Sequence, residues 1–124
     1  MVIEDPYIRA QHQVGNFVRL CELLVTVPGL KEITLVTTVD DEDPTRQKER
    51  LEELKQSLLE LDIALNLTFN AKLHDREIRL SSGWIVKIGR GLDFYQRPES
   101  WFHVGASDLA LRKCLETKVD IFKA

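Results

Sequence analysis

The chain has 124 residues, of which 44% are hydrophobic and 30% are charged, and its formal net charge is −3 at pH 7. A chain of this length can bury enough apolar surface to fold without a disulfide or a metal. The small negative charge argues against a broad electrostatic surface for nucleic acid or anionic lipid, so a nucleic-acid partner is not expected and a basic site would have to be local. We therefore expect a single domain over residues 1–124, with no resident metal or cofactor.

The cysteines and the start of the chain indicate a compartment. Cys21 and Cys114 are far apart in the sequence and form no C-x-x-C or Cys/His cluster of the kind that binds zinc. Free cysteines of this kind fit a reducing, cytoplasmic setting. Residues 1–10 carry charges and Pro6 where a signal peptide has its apolar core, and the longest apolar run is too short to span a bilayer. We expect a cytoplasmic protein whose contact with a membrane, if it makes one, is peripheral.

The first half of the sequence alternates between helical and strand patterns. The predicted elements are a helix over 11–26, a buried strand over 33–39, a long amphipathic helix over 44–62 and a half-buried strand over 63–70. Asp43 is the predicted N-cap of the second helix, with Pro44 at its first position. This alternation predicts an α/β fold with a mixed central sheet flanked by helices, in two or three layers.

The second half is predicted to be mostly β-structure. Residues 77–80 and 84–89 read as a hairpin across a Ser-Ser-Gly turn, and residues 118–122 as a short final strand. An irregular segment that precedes the final strand contains Trp101 and Phe102. These two aromatic side chains either pack in the core, which is the commoner outcome, or contact a membrane interface.

Charge is unevenly distributed along the chain. Residues 40–62 hold nine of the twenty acidic residues, whereas residues 72–97 hold six Lys or Arg residues and His74 against three acids. The second half can therefore carry a local positive patch.

A candidate phosphate site lies in the basic segment. Side chains two residues apart on a strand share a face, so His74 and Arg76 are expected to project together. A guanidinium grips two phosphate oxygens, and an imidazole donates a hydrogen bond or, when neutral, attacks phosphorus. Lys87 follows on the partner strand of the hairpin, and Arg90 lies between two glycines, where the main chain can approach a ligand closely. The alternative is an ordinary charged hairpin in which these side chains are simply solvated.

The spacing of these residues resembles a degenerate phospholipase D motif. The intact motif, H-x-K-x4-D followed by Gly-Ser-x-Asn, has its His at His74. Arg76 replaces the Lys, and Ser81 stands at the Asp. Gly89 matches the glycine if one residue is inserted, while Arg90 and Leu92 replace the Ser and Asn. The nucleophile is kept, but several partners that stabilise phosphate charge are not.

A longer match covers about residues 3–122. The segments "EDPYIR", "HDREIR", "KIGRGLD" and "VDIF" occur in this order. Together they resemble the C-terminal, phospholipase-D-like domain of MIT-domain-containing proteins. The resemblance implies a phospholipase-D-like fold and a non-catalytic homodimer that binds acidic phospholipids, phosphoinositides among them, for membrane recruitment. In that family a separate MIT domain contacts ESCRT-III. No such domain precedes Ile3 here, so we expect no ESCRT-III contact.

Two other functions remain open at this stage. One is a phosphodiesterase or nuclease in which His74 attacks phosphorus, with the His74 of a second chain as general acid across a two-fold axis. The other is a protein-interaction adaptor that uses the acidic helix over 44–62. The binding module is favoured, with His74, Arg76, Lys87 and Arg90 as its phosphate-binding residues and an anionic phospholipid surface as its partner.

Overall fold

A computed structural model describes residues 1–98 and 100–123 of the chain. Its strands are β1 (Val2–Glu4), β2 (Glu32–Thr37), β3 (Ala64–Phe69), β4 (Glu77–Arg79), β5 (Trp84–Ile88) and β6 (Val119–Lys123). Its α-helices are α1 (Gln11–Leu24) and α2 (Pro44–Leu59), and a short 3-10 helix spans Leu109–Leu111. The predicted helices and strands are confirmed. Asp43 caps α2 as predicted, since its carboxylate accepts a hydrogen bond from the Arg46 main-chain N–H at 3.2 Å.

The six strands form one mixed sheet in the order β3-β2-β1-β4-β5-β6. Strands β1, β2 and β3 are parallel to one another, and the remaining pairs, beginning with β1 and β4, are antiparallel. Parallel strands need a crossover, which α1 and α2 provide. The predicted α/β class with a mixed sheet is therefore confirmed, and the fold is consistent with a phospholipase-D-like domain.

Strand β1 was missed by the sequence analysis, although it lies in the middle of the sheet. It has three residues and pairs with β2 on one side and with β4 on the other. Such a short segment, with only Ile3 fully buried, carries too little alternation to be recognised. Its stability comes instead from two hydrogen-bonded neighbours that are remote in sequence.

The domain has two layers, because both helices pack on the same face of the sheet. The core between the layers contains Phe17 and Cys21 from α1, Leu51 and Leu58 from α2, and Ile3, Ile33, Leu35 and Leu65 from the sheet. Polar residues such as Thr34, Asn66 and Arg79 occupy the opposite face. The helices thus flank one face only.

Two helices are too few to cover six strands. Alternation along β5 and β6 places Trp84, Val119 and Ile121 on the helix-bearing face, yet these side chains are 43%, 50% and 64% exposed. The outer edge of β6 also has no neighbouring strand among residues 1–98 and 100–123. The half of the sheet formed by β4, β5 and β6 therefore presents apolar surface to solvent.

Between β5 and β6 the chain makes a long excursion, described for residues 93–98 and 100–117, which we call the arm. Its two limbs are joined by a bridge between Tyr95 and Cys114, and by the hydrogen bond from the Gln96 N–H to the Lys113 carbonyl at 2.8 Å. Trp101 and Phe102 in the arm are 73% and 97% exposed, so core packing of this pair is wrong. Within the described residues no helix has the length and apolar character needed to cross a membrane.

Candidate functional site

One edge of the sheet collects the segments that carry the candidate site. The parallel strands β1, β2 and β3 all end there, β5 ends there, and β4 and β6 begin there. Residues 74–76 lead into β4 at this edge, Gly89 and Arg90 follow β5, and Lys118 precedes β6. In open α/β sheets, ligands bind outside the carboxyl ends of the parallel strands. We call this side the carboxyl edge.

An open hollow of about 380 Å³ lies at the carboxyl edge. It is lined by His74, Asp75, Arg76, Lys87, Ile88, Gly89, Lys118 and Asp120. Three of the four residues predicted from the sequence, His74, Arg76 and Lys87, are therefore brought together.

Arg90 does not line the hollow. Its guanidinium Nε donates to the Glu116 carbonyl at 2.7 Å, and its main-chain N–H donates to Thr117 Oγ1 at 3.2 Å. These contacts fasten the turn after β5 to the returning limb of the arm. Arg90 therefore places its charge at the rim of the hollow, toward the arm.

Arg76 is the most firmly positioned cation of the hollow. Its Nη1 donates to the Gly89 carbonyl at 2.9 Å, and its guanidinium carbon lies 4.7 Å from the centre of the Tyr7 ring. The guanidinium of Arg9 lies over the same ring at 5.4 Å. A guanidinium over an aromatic face is attracted by the ring quadrupole. Tyr7 therefore holds two positive charges near the carboxyl edge.

The buried carboxylate of Asp5 supports this arrangement from below. Asp5 follows β1 directly and is 2% exposed. Its Oδ1 accepts from the Tyr7 N–H at 2.9 Å and its Oδ2 from the Leu92 N–H at 2.8 Å. Burial raises the pKa of Asp5 above its usual value, while the two N–H donors and the charge of Arg76 lower it. A single side chain thus links the end of β1 to the turn after β5.

The charge at the carboxyl edge is mixed. Asp120 lies 3.9 Å from Lys118 Nζ, and Asp75 also lines the hollow. On the face of the sheet away from the helices, register places Lys87 between Glu77 and Asp120 on the adjacent strands, where opposite charges attract. Lys87 therefore has an acid opposite it on each adjacent strand, and its Nζ lies 5.8 Å from the centre of the Phe122 ring. Arg76 in turn interacts electrostatically with the buried Asp5.

Three acids at this edge lie close together. Carboxylate oxygens of Glu4, Asp75 and Glu77 are within 4.8 Å of one another, so these residues could each offer one oxygen to a divalent cation. Glu4 is already paired with the guanidinium of Arg79. Exposed acids of this kind give no reason of their own to assign a metal.

Sequence reasoning missed Lys118, Tyr7 and Arg9 as members of the site. Lys118 is forty-four residues from His74 and reaches the hollow only because β6 pairs with β5. Tyr7 and Arg9 lie in the segment "EDPYIR", which the sequence analysis used only as part of the family resemblance. Alternation along this short segment places the two side chains together, which was the available signal.

Ser81, which stands at the position of the motif's Asp, lies at the opposite edge of the sheet from His74. It belongs to the turn between β4 and β5, where it lines a cavity with Met1, Pro28 and Leu80. Its hydroxyl therefore cannot orient His74 or contact a phosphate held in the hollow.

Comparison with known sequences settles the family. The sequence profile of the family described as "Phospholipase D-like domain at C-terminus of MIT" matches residues 1–123. The chain belongs to this family. It is also 48% identical over 122 residues to MIT domain-containing protein 1 of Mus musculus, a match that covers 97% of this chain and 49% of the mouse protein. The chain thus spans about half the length of this curated relative.

The contact between Asp5 and the turn after β5 leads to a prediction on Gly91. Gly91 has φ +61°, and a Cβ added there would lie 2.8 Å from the Asp5 carboxyl carbon. We expect Gly91→Ala to lower the free energy of unfolding by about 2 kcal/mol or more, because strain in the left-handed region adds to overlap with a buried group.

The control is Gly15→Ala in α1, where an added Cβ meets nothing within 4 Å. This change should raise the stability by about 0.5–1 kcal/mol, since alanine favours a helix interior. Denaturant unfolding measures both variants. Equal midpoints for Gly91→Ala and the wild type would show that the turn does not pack on Asp5 as described.

Proposed function

We propose that this domain is a non-catalytic phospholipase-D-like module that binds the phosphate groups of acidic phospholipids, phosphoinositides among them. It acts as a homodimer in the cytoplasm and brings its partners to the membrane surface. Its phosphate-binding residues are His74, Arg76 and Lys87 in the hollow, Arg90 at the rim, and Lys118, which lines the same hollow.

The observation that carries the proposal is the fixed position of Arg76. A flexible surface arginine loses rotamer entropy when it binds a ligand, whereas Arg76 is already held by the Gly89 carbonyl and the Tyr7 ring. A guanidinium has five N–H donors, so several remain for phosphate oxygens after the bond to Gly89. His74 lines the same hollow and adds a donor when protonated.

The exposed tip of the arm supports a membrane as the source of the phosphate. Trp101, Phe102 and Val104 are 73%, 97% and 88% exposed, and they follow one another closely. Exposing three large apolar side chains to water costs free energy unless a partner covers them. The interfacial region of a bilayer accommodates such side chains, tryptophan above all. Arg97 and Lys113, which line a cavity beside Val104, bring positive charge to this tip.

Binding to vesicles tests the phosphate site. Each cation near an anionic bilayer is worth about 1 kcal/mol, or roughly fivefold in affinity. We expect Arg76→Gln to weaken binding to phosphatidylcholine vesicles that contain phosphatidylserine by about fivefold, and Arg76→Gln with Lys118→Gln by about 25-fold. Co-sedimentation measures the binding, and high salt should weaken it further.

Arg79→Gln is the matched control. Arg79 ends β4, whereas residues 74–76 of the candidate site precede that strand, and Arg79 is paired with Glu4. Its loss should change vesicle binding less than twofold. Wild-type binding by the double variant would refute the assignment of the site. Hydrolysis of a phosphodiester by the wild type, abolished in His74→Ala, would instead support the phosphodiesterase.

The homodimer in this proposal rests on the uncovered half of the sheet. Trp84, Val119 and Ile121 expose apolar surface there, and β6 offers a free edge of five residues. A second copy that pairs along β6 would satisfy the edge N–H and C=O groups and cover the apolar side chains together. Two copies would also present two phosphate sites to one membrane, which increases the overall affinity.

Sedimentation equilibrium tests the dimer. We expect a mass of about twice the 14.3 kDa of one chain, and a monomer for Ile121→Glu, because a carboxylate would be buried at the centre of the interface. Leu61→Glu is the control, since Leu61 is as exposed at 57% but follows α2. A monomeric wild type at the concentrations that bind vesicles would contradict the dimer.

A further inference from the structure

A second cavity, an apolar groove of about 620 Å³, lies on the helix-bearing face of the sheet. Its floor is formed by Ile78 from β4, Ile88 from β5 and Leu92 from the turn that follows. The groove exists because α1 and α2 cover β1–β3, while the arm covers the remaining strands only in part. This volume is in the range of roughly 300–1,000 Å³ that is typical of ligand pockets.

The two walls of the groove come from α1 and the arm. Leu20 and Leu23 of α1 line one wall, and Leu23 is 69% exposed. Phe94 and Leu109 of the arm line the other. The charged residues that line the groove are Arg19 and Glu22 on the α1 side and Asp108 on the arm, so the lining has no excess of positive charge and its apolar floor is the feature that would hold a ligand.

The groove and the hollow are neighbours through Ile88. This residue lines both, and its N–H donates to the Arg76 carbonyl at 3.1 Å. A small void of about 10 Å³ is lined by Arg76, Ile78 and Leu92 together with the buried Asp5, so residues of the hollow and of the groove meet there. An amphiphile with its negative head at Arg76 would reach the groove around Ile88, not through this void.

We propose that the groove receives one acyl chain of the anionic phospholipid whose phosphate is bound at the hollow. This inference rests on the proposed function and adds to it, because it makes the site specific for an amphiphile rather than for phosphate alone. The charge of Arg76 favours an anionic headgroup. Because Ile88 lines both the hollow and the groove, an acyl chain that begins next to this headgroup is favoured as well. Burial of each methylene group is worth about fourfold in affinity.

The probes are ethyl phosphate and dodecyl phosphate, the second used below the concentration at which it forms micelles. We expect dodecyl phosphate to bind the wild-type chain at least about 100-fold more tightly than ethyl phosphate, which is less than full burial of ten methylene groups would give. Isothermal titration calorimetry measures both affinities.

Two variants alter the groove and leave the residues of its floor unchanged. Ala110→Trp fills it from the arm, and Leu23→Glu places a carboxylate on the α1 wall; both residues line the groove and are exposed. We expect either change to reduce the affinity for dodecyl phosphate to about that for ethyl phosphate, which itself should not change. Ser107→Trp and Leu59→Glu are controls at exposed positions outside the groove, and should keep the chain-length effect.

The outcomes separate the groove from the phosphate site. A chain-length effect that persists in both groove variants, or that is absent from the wild type, overturns the groove proposal while vesicle binding through Arg76 stands. The groove proposal is also overturned if the groove variants change the sedimenting mass and leave the affinity for dodecyl phosphate unchanged. In that case a second copy of the chain covers the groove. If dodecyl phosphate binds equally well to Arg76→Gln, the groove stands as an apolar site and the phosphate site fails.

Discussion

The buried carboxylate of Asp5 is the interaction on which the candidate site depends. It accepts hydrogen bonds from the N–H groups of Tyr7 and Leu92, and the second of these bonds joins Asp5 to a residue 87 positions away. Through Tyr7 it orients the ring that carries Arg76, and through Leu92 it fixes the turn whose Gly89 carbonyl binds the same guanidinium. Burial raises the pKa of Asp5, which means that the carboxylate is held at an electrostatic cost. The candidate site is therefore supported by a buried carboxylate as well as by the loops around it.

The uncovered half of the sheet determines what the domain can bind. Both helices lie over the parallel strands, and the antiparallel half is covered only by the arm. The same shortage of helices leaves the groove open at Ile88 and leaves Ile121 exposed on β6. The hollow, an apolar groove and an uncovered strand edge thus lie next to one another. Together they favour an amphiphilic surface over a small soluble anion.

Local sequence patterns were sufficient to predict most of the helices and strands. The features that were not predicted depend on pairing between segments that are distant in the sequence. The helices and the strands after the first show clear periodicity. His74 and Arg76 line one hollow, but they precede β4 and Asp75 lines the hollow with them, so strand alternation is not the reason. Strand β1 was too short to show a pattern, and Lys118 joins the hollow only through the pairing of β6. The exposure of Trp101 was also not predictable, because an aromatic residue in an irregular segment is more often buried. These features depend on contacts between segments that are far apart in sequence.

The most direct measurement is the titration of the Asp5 carboxyl group by NMR, followed together with the amide signals of Tyr7 and Leu92. The pKa should lie above the usual value of 3.8, and both amide signals should shift with the same midpoint. Because the folded state then binds this proton more tightly than the unfolded state, Asp5 should lower the stability as pH rises through that midpoint. Amide signals of Tyr7 and Leu92 that do not respond to the titration of Asp5 would contradict its central role.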